Sequence, residues 1–196
     1  LWVQNEQTNR LPDLVERMPL ESLLDRVDPE RRDRGMPLPR TPEQALATMR
    51  VAGEFDVRLA AAEPLTEDPV AFDWGPDGRL WVVEMADYPR GIDDRGTVGG
   101  RVRVLEDLDG DGVYDRSTLF LDSLPYPNGI KVWGEGVFVS TAPDLIFAVD
   151  RDGDGRADER TTILTGFDPG NQQHRFNGLR YGLDHRLYLA NGDSGG

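Results

Sequence analysis

No cysteine occurs in this 196-residue chain. That excludes a disulfide, a thiol nucleophile and any thiolate-held metal, though it leaves the compartment unread. No run of 18 apolar residues occurs, so no segment can form a membrane-crossing helix. Clusters of basic residues are missing too, and the formal net charge is −14. A nucleic-acid surface needs such clusters to displace counterions from phosphates, so DNA and RNA are excluded as partners. No signal peptide is visible. The chain opens at Leu1 rather than Met and closes on Ser194-Gly195-Gly196 directly after an apolar run, and it reads as a fragment of a longer polypeptide.

Glycine and proline are plentiful, 22 and 14 residues, which favours many short elements over long helices. The acidic excess keeps the surface soluble and offers ligands to hard cations such as calcium.

Two regions are expected. Residues 1–53 read as an N-terminal helical extension and linker. Leu11, Leu14, Val15, Met18, Leu23 and Leu24 are loosely spaced as in a helix, and 31–40 is a charged connector. Thr41, Pro42 and Gln44 then form a helix start, with Thr41 as N-cap and Gln44 three residues on; that helix is predicted to reach about Val51.

Residues 54–196 read as strands. The segments 72–83, 130–139 and 179–189 each consist of a strand, a Gly-bearing polar turn and an apolar strand, which is a hairpin pattern. A second repeat interleaves with it: 102–107, an Asp-Gly-Asp-Gly loop and 117–121, then 146–150, the same loop and 161–164. Four strands in roughly 50 residues mark a propeller blade. The predicted fold is therefore an all-β propeller, six-bladed when complete, with about two and a half blades here. Strands are expected near 69–74, 79–84, 101–106 and 117–122, then 128–133, 136–141, 145–149 and 161–165, with a third blade beginning at 177. Phe55 to Ala60 is expected to be an extra strand that completes the last blade and closes the ring. Trp74, Trp81, Trp133 and Tyr188 are expected to pack between blades.

An up-and-down chain sorts its loops. The loops 85–100 and 166–176 share one face of the disc, and long loops on a rigid scaffold are where function sits. His174 lies in the second of them, and Asp193 follows the second strand of the third blade, on the same face. An imidazole oriented by a carboxylate is what general-base chemistry requires. A bare loop hydrogen bond is the alternative for His174. His185 is expected in an exposed hairpin turn.

Asp107, Asp109, Asp111 and Asp115 form an Asp-x-Asp-x-Asp-Gly loop, which Asp150, Asp152, Asp154 and Asp158 repeat. Alternate carboxylates around a Gly bend resemble the first half of an EF-hand loop and are candidate calcium ligands. The closing Glu of that loop is absent, and an Asx-Gly turn that needs no ion is the alternative. Both loops fall on the face opposite His174.

The stretch from His174 to Asp193, with Gly75 to Glu84 and Gly100 to Val104, resembles the soluble quinoprotein glucose/sorbosone dehydrogenases. With Ala62 to Pro64, Asp107 to Gly112, Gly170 to Arg175 and Ala190 to Gly196, the likeness extends to large propeller proteins of planctomycete-type bacteria. Those are described as membrane-bound dehydrogenases and are often fused to a haem-binding cytochrome c region. The resemblance implies oxidation of a small sugar or alcohol, with His174 taking the hydroxyl proton, Asp193 orienting it, and hydride passing to pyrroloquinoline quinone (PQQ). It implies Gln172, Gln173, Asn177 and Asn191 as cofactor contacts, calcium, a cytochrome as electron acceptor, and a periplasmic or cell-envelope location. Haem c would belong to a region downstream of this chain. Asn128 and Asn177, which open two first strands, also resemble metal-binding positions of calcium-dependent propeller lactonases. A non-catalytic binding or scaffold propeller is the third reading.

Overall fold

The computed structural model describes residues 40–192. The predicted helix within Leu11–Val27, and Asp193, lie outside the described residues. The chain divides into two units between Thr48 and Met49.

In the first unit, helix α1 spans Pro42–Leu46. It begins as predicted. The Thr41 Oγ1 accepts the Gln44 N–H, and the Gln44 Oε1 accepts the Thr41 N–H. It ends at Leu46, not at Val51. None of its residues is buried, and a short helix with no apolar face to bury is marginal in water.

The second unit is all β. The first sheet contains β1 (Pro69–Trp74), β2 (Leu80–Glu84), β3 (Gly100–Glu106) and β4 (Arg116–Leu124). The second contains β5 (Gly129–Trp133), β6 (Gly136–Thr141), β7 (Asp144–Val149) and β8 (Glu159–Thr165). The third contains β9 (Asn177–Tyr181) and β10 (Leu187–Ala190). All pairings are antiparallel between neighbours in sequence, giving orders β1-β2-β3-β4, β5-β6-β7-β8 and β10-β9. The strands fall where the hairpin repeat placed them.

The sheets stack face on face, in a propeller-like arrangement. Between the first and second lie Trp81, Val83, Val102, Val104, Phe120, Ile130, Val137, Val139 and Ile146, all buried. Each buried aliphatic side chain contributes roughly 1.5–3 kcal/mol. Between the second and third lie Leu145, Phe176 and Leu179. The first strands run side by side along the stack. Asp73 of β1 accepts both the Lys131 Nζ (2.7 Å) and the Val132 N–H (2.8 Å) of β5. The Lys131 ammonium also lies 5.3 Å from the Tyr181 ring centroid of β9.

A second link joins the sheets at their outer edges. In β4, Phe120 is the extra residue of a bulge, since Val102 faces Leu121 and Arg103 faces Leu119. Its carbonyl accepts the Ala157 N–H from the β7–β8 loop at 2.8 Å. β8 repeats the bulge at Ile163.

Two expectations need correction. Phe55 to Ala60 forms no strand. No described strand runs beside it, and its tie to the sheets is the Ala60 carbonyl, which accepts the Tyr114 N–H. Of the four aromatics expected between sheets, only Trp81 is buried, edge-on to Phe120 at 4.7 Å. Trp74, Trp133 and Tyr188 are more than half exposed, although Trp133 does meet the third sheet, its ring 5.3 Å from that of Tyr181.

Candidate functional site

Antiparallel alternation puts the β2–β3 loop (85–99), the β4–β5 link (125–128) and the β8–β9 loop (166–176) on one face, and the Asp-Gly loops on the other. The β8–β9 loop is built by local turns. Asp168 Oδ1 accepts the Gly170 N–H, Asn171 Oδ1 accepts the Gln173 N–H, and the Asn171 carbonyl accepts the His174 N–H. Its ends are pinned by Phe167 and Phe176, stacked at 3.7 Å. His174 is exposed between exposed Gln173 and buried Arg175.

This loop reaches the β2–β3 loop. Gln173 Nε2 donates to the Tyr88 hydroxyl at 2.8 Å, and Gln172 Nε2 donates to the Pro89 carbonyl at 3.3 Å. Between the loops lies a cleft of about 430 Å³ lined by Asp68, Pro69, Val70, Met85, Tyr88, Gln172 and Gln173. The chain leaving β10 passes His174 as well. A Cβ on Gly192 would come 1.7 Å from the His174 carbonyl oxygen, so only glycine allows that approach. Asn191, just before it, is exposed, and so is Asn177.

Arg175, which follows His174, anchors a polar cluster that sequence reasoning missed. The buried Arg175 guanidinium donates to the Pro125 and Pro169 carbonyls and lies 4.9 Å from the Tyr126 ring centroid. Burial pushes its pKa down from the usual arginine value, against the opposing field of Tyr126 and Asp87. Asp87, fully buried, accepts the Tyr126 N–H at 2.9 Å. Asp87 Oδ1 and Arg175 Nε are both buried without a hydrogen-bond partner. The β2–β3 loop, the β4–β5 link and the β8–β9 loop are thus tied together at the residue that follows His174. Arg175 stood inside the Gly170 to Arg175 motif, but its partners Pro125 and Tyr126 are about 50 positions away in sequence. Asp87 carried no local signal at all.

At the other side of the first sheet, Glu84 is fully buried against Arg103 Nε (3.1 Å) and Arg101 Nε, while its Oε1 accepts the Glu67 N–H.

Each Asp-Gly loop gathers three of its four carboxylates. Asp107, Asp109 and Asp115, and again Asp150, Asp152 and Asp158, bring one oxygen each within 4.8 Å of the others. Asp111 and Asp154 stand apart and cap the N–H groups of Val113 and Arg156. Asp107 accepts from Gly110 and Gly112, and Asp150 from Gly153 and Gly155. The loops therefore close as Asx turns on backbone donors alone. Three carboxylates so gathered could offer oxygens to calcium, which takes six to eight and completes its set with second carboxylate oxygens, carbonyls or water.

A second groove, of about 290 Å³, follows the starts of β1, β5 and β9, with Asn128, Asn177 and Arg180 among its lining. Asn128 Oδ1 accepts the Ser140 hydroxyl there. His185 sits in the β9–β10 turn at φ 62°, exposed as predicted. No helix among the described residues is long and apolar enough to cross a membrane.

Stacked four-stranded antiparallel sheets, with inter-sheet loops gathered over a cleft, define an all-β, propeller-like domain. Residues 41–196 match the family described as "Domain of unknown function (DUF7133)", and the chain belongs to that family. No curated protein and no solved structure matches the chain.

Proposed function

We propose that this domain serves a quinoprotein-type dehydrogenase that oxidises a neutral sugar or alcohol, with His174 as the base. One observation carries the reading: the loop bearing His174 meets the Tyr88–Pro89 loop over a cleft on a single face. The lining suits a polyol. Each Gln has one amide hydrogen committed to the opposite loop, which turns its carbonyl into an oriented acceptor. Asp68 adds a charged acceptor, and Val70, Pro69 and Met85 offer an apolar wall to C–H groups. Oxidation of an alcohol removes a proton from oxygen and a hydride from carbon. A neutral imidazole takes the first. The second must pass to a two-electron acceptor.

PQQ was the expected acceptor, and the described cleft does not fit it. PQQ carries three carboxylates, whereas the cleft lining holds no Lys or Arg and is itself anionic at Asp68. No step is routed through PQQ here. Its cationic partners belong, in this reading, to residues other than the described lining. The reading also places the protein in the periplasm or cell envelope, with a cytochrome receiving electrons. Calcium in the Asp-Gly loops would stiffen the far face only.

The test is dye-linked oxidation of aldoses and alcohols by the full chain supplied with PQQ and calcium. His174→Ala should lower the rate at least ~100-fold while leaving the melting temperature within a degree or two. Equal rates in the variant and the parent would remove the reading.

The groove that Asn128 and Asn177 line favours a lactonase as the second reading. It ranks lower because its described lining has no carboxylate and Asn128 Oδ1 is already committed to Ser140. Calcium-dependent lactone hydrolysis lost in Asn128→Ala but kept in His174→Ala would reverse the order.

A further inference from the structure

The cleft has two walls, and a buried charge stands at the root of each. Asp87 precedes Tyr88 on the β2–β3 side, and Arg175 follows Gln172, Gln173 and His174 on the β8–β9 side. Asp87 is 0% exposed and Arg175 7%. The two meet at the β4–β5 link. Asp87 Oδ2 accepts the Tyr126 N–H at 2.9 Å. The Arg175 guanidinium lies 4.9 Å from the Tyr126 ring centroid and donates to the Pro125 carbonyl at 3.3 Å. Tyr126 holds φ at 48°, a left-handed backbone that a bulky side chain rarely accepts. Such a conformation persists where its surroundings over-determine it. Here a buried anion takes the Tyr126 N–H and a buried cation meets its ring.

Strength separates these contacts from the others that hold the loop. The bonds from Gln172 to Pro89 and from Gln173 to Tyr88 face solvent, where water competes for both partners. The bonds from Arg175 are charge-assisted, roughly twice as strong as neutral ones, and largely withdrawn from water. They also reach in two directions. One guanidinium nitrogen donates across to Pro125, and another donates at 2.5 Å to Pro169, closing the loop on itself. A planar fork suits both carbonyls at once, whereas a lysine ammonium is a single point on a flexible stem. Arg175 Nε and Asp87 Oδ1 add a spare donor and a spare acceptor to the same buried cluster, complementary in kind. Asp87 and Asp168 together oppose the cost of burying the guanidinium.

We infer that Arg175, balanced by Asp87, is the positioning residue of this cleft. It fixes the loop that carries Gln172, Gln173 and His174 and sets that loop against the wall built on Tyr88. Arg175 is not among the residues that line the cleft, so it acts through its neighbours. The inference rests on the reading of this cleft as the working site, but its readout needs no turnover.

The experiment uses the full chain with Asp87→Asn. Asparagine keeps an oxygen for the Tyr126 N–H and removes the charge that balances Arg175. The chain has two histidines, so imidazole NMR signals report His174 directly, with His185 in its exposed turn as internal reference. The His174 signals should move while those of His185 stay. The Gly170, Gln173 and His174 amides should exchange with solvent at least about tenfold faster, and the buried amides of β6 and β7 should keep the parent's rates. Arg175→Lys retains the positive charge and should speed the same loop amides. A lowered melting temperature with His174 signals and loop amides as in the parent would overturn the inference, because the cluster would then be merely structural. Equal acceleration in β6, β7 and the loop in both variants would overturn it too, because the cluster would then carry the whole stack. Either failure leaves the dehydrogenase reading standing, since that reading is judged by turnover in His174→Ala.

Discussion

Glu84 ends β2 with its carboxylate wholly withdrawn from water and two arginines on it. Taking away one member of such a group leaves buried charge unmatched, typically at 3–5 kcal/mol. Arg101 and Arg103 keep some solvent contact, so Glu84→Gln should cost about 3 kcal/mol in urea unfolding. A loss below about 1 kcal/mol would mean that the arginines find water instead. Asp107 and Asp150 act in a different setting, only half-buried and ringed by backbone donors. The Gly112 and Gly155 N–H groups, foremost among these donors, hold the two carboxyls below the ordinary value of 3.8. A carboxyl with a lowered folded-state pKa stabilises the fold above its unfolded value, and that contribution is lost as pH falls through the folded value. The melting temperature should therefore be flat with respect to these groups above about pH 5 and should drop below about pH 4. Asp107→Asn together with Asp150→Asn should flatten that drop; an unchanged acid limb would assign it to other groups.

Among elements, the repeated bulge gives an internal comparison. Phe120 and Ile163 occupy the same position on β4 and β8, yet Phe120 is 3% exposed and Ile163 46%. Phe120→Ala should cost about 3–5 kcal/mol, and Ile163→Ala about 1 kcal/mol or less, in matched denaturant titrations. Equal losses would show that Ile163 is covered in solution. The same contrast explains what could be read from sequence. Strand positions were legible because alternation, Gly-bearing turns and the Asp-Gly loops are local and occur twice. The loop face of His174 followed from counting strand reversals. Burial of individual aromatics was not legible, because Trp74 and Trp81 differ only in which sheet lies opposite. Helix α1 was legible at its capped start and not at its end, where nothing buries it. The Asp87–Tyr126–Arg175 cluster was invisible because its members come from three separate loops.

For the whole molecule, the sheets are attached through apolar faces, the line of first strands at Asp73, Lys131 and Tyr181, the outer-edge bond from Ala157 to Phe120 and the loop contacts of Arg175. Lys131 is the chain's single lysine beside many arginines. A protease that cuts only after lysine therefore has one target bond here, and that bond lies within the second sheet. The folded protein should resist such a protease, and each molecule that opens should yield two pieces from this region. The rate at which those pieces form under increasing urea gives the opening free energy of the sheet stack without label or mutation. Rapid cleavage in the absence of denaturant would show that the middle of the stack breathes freely.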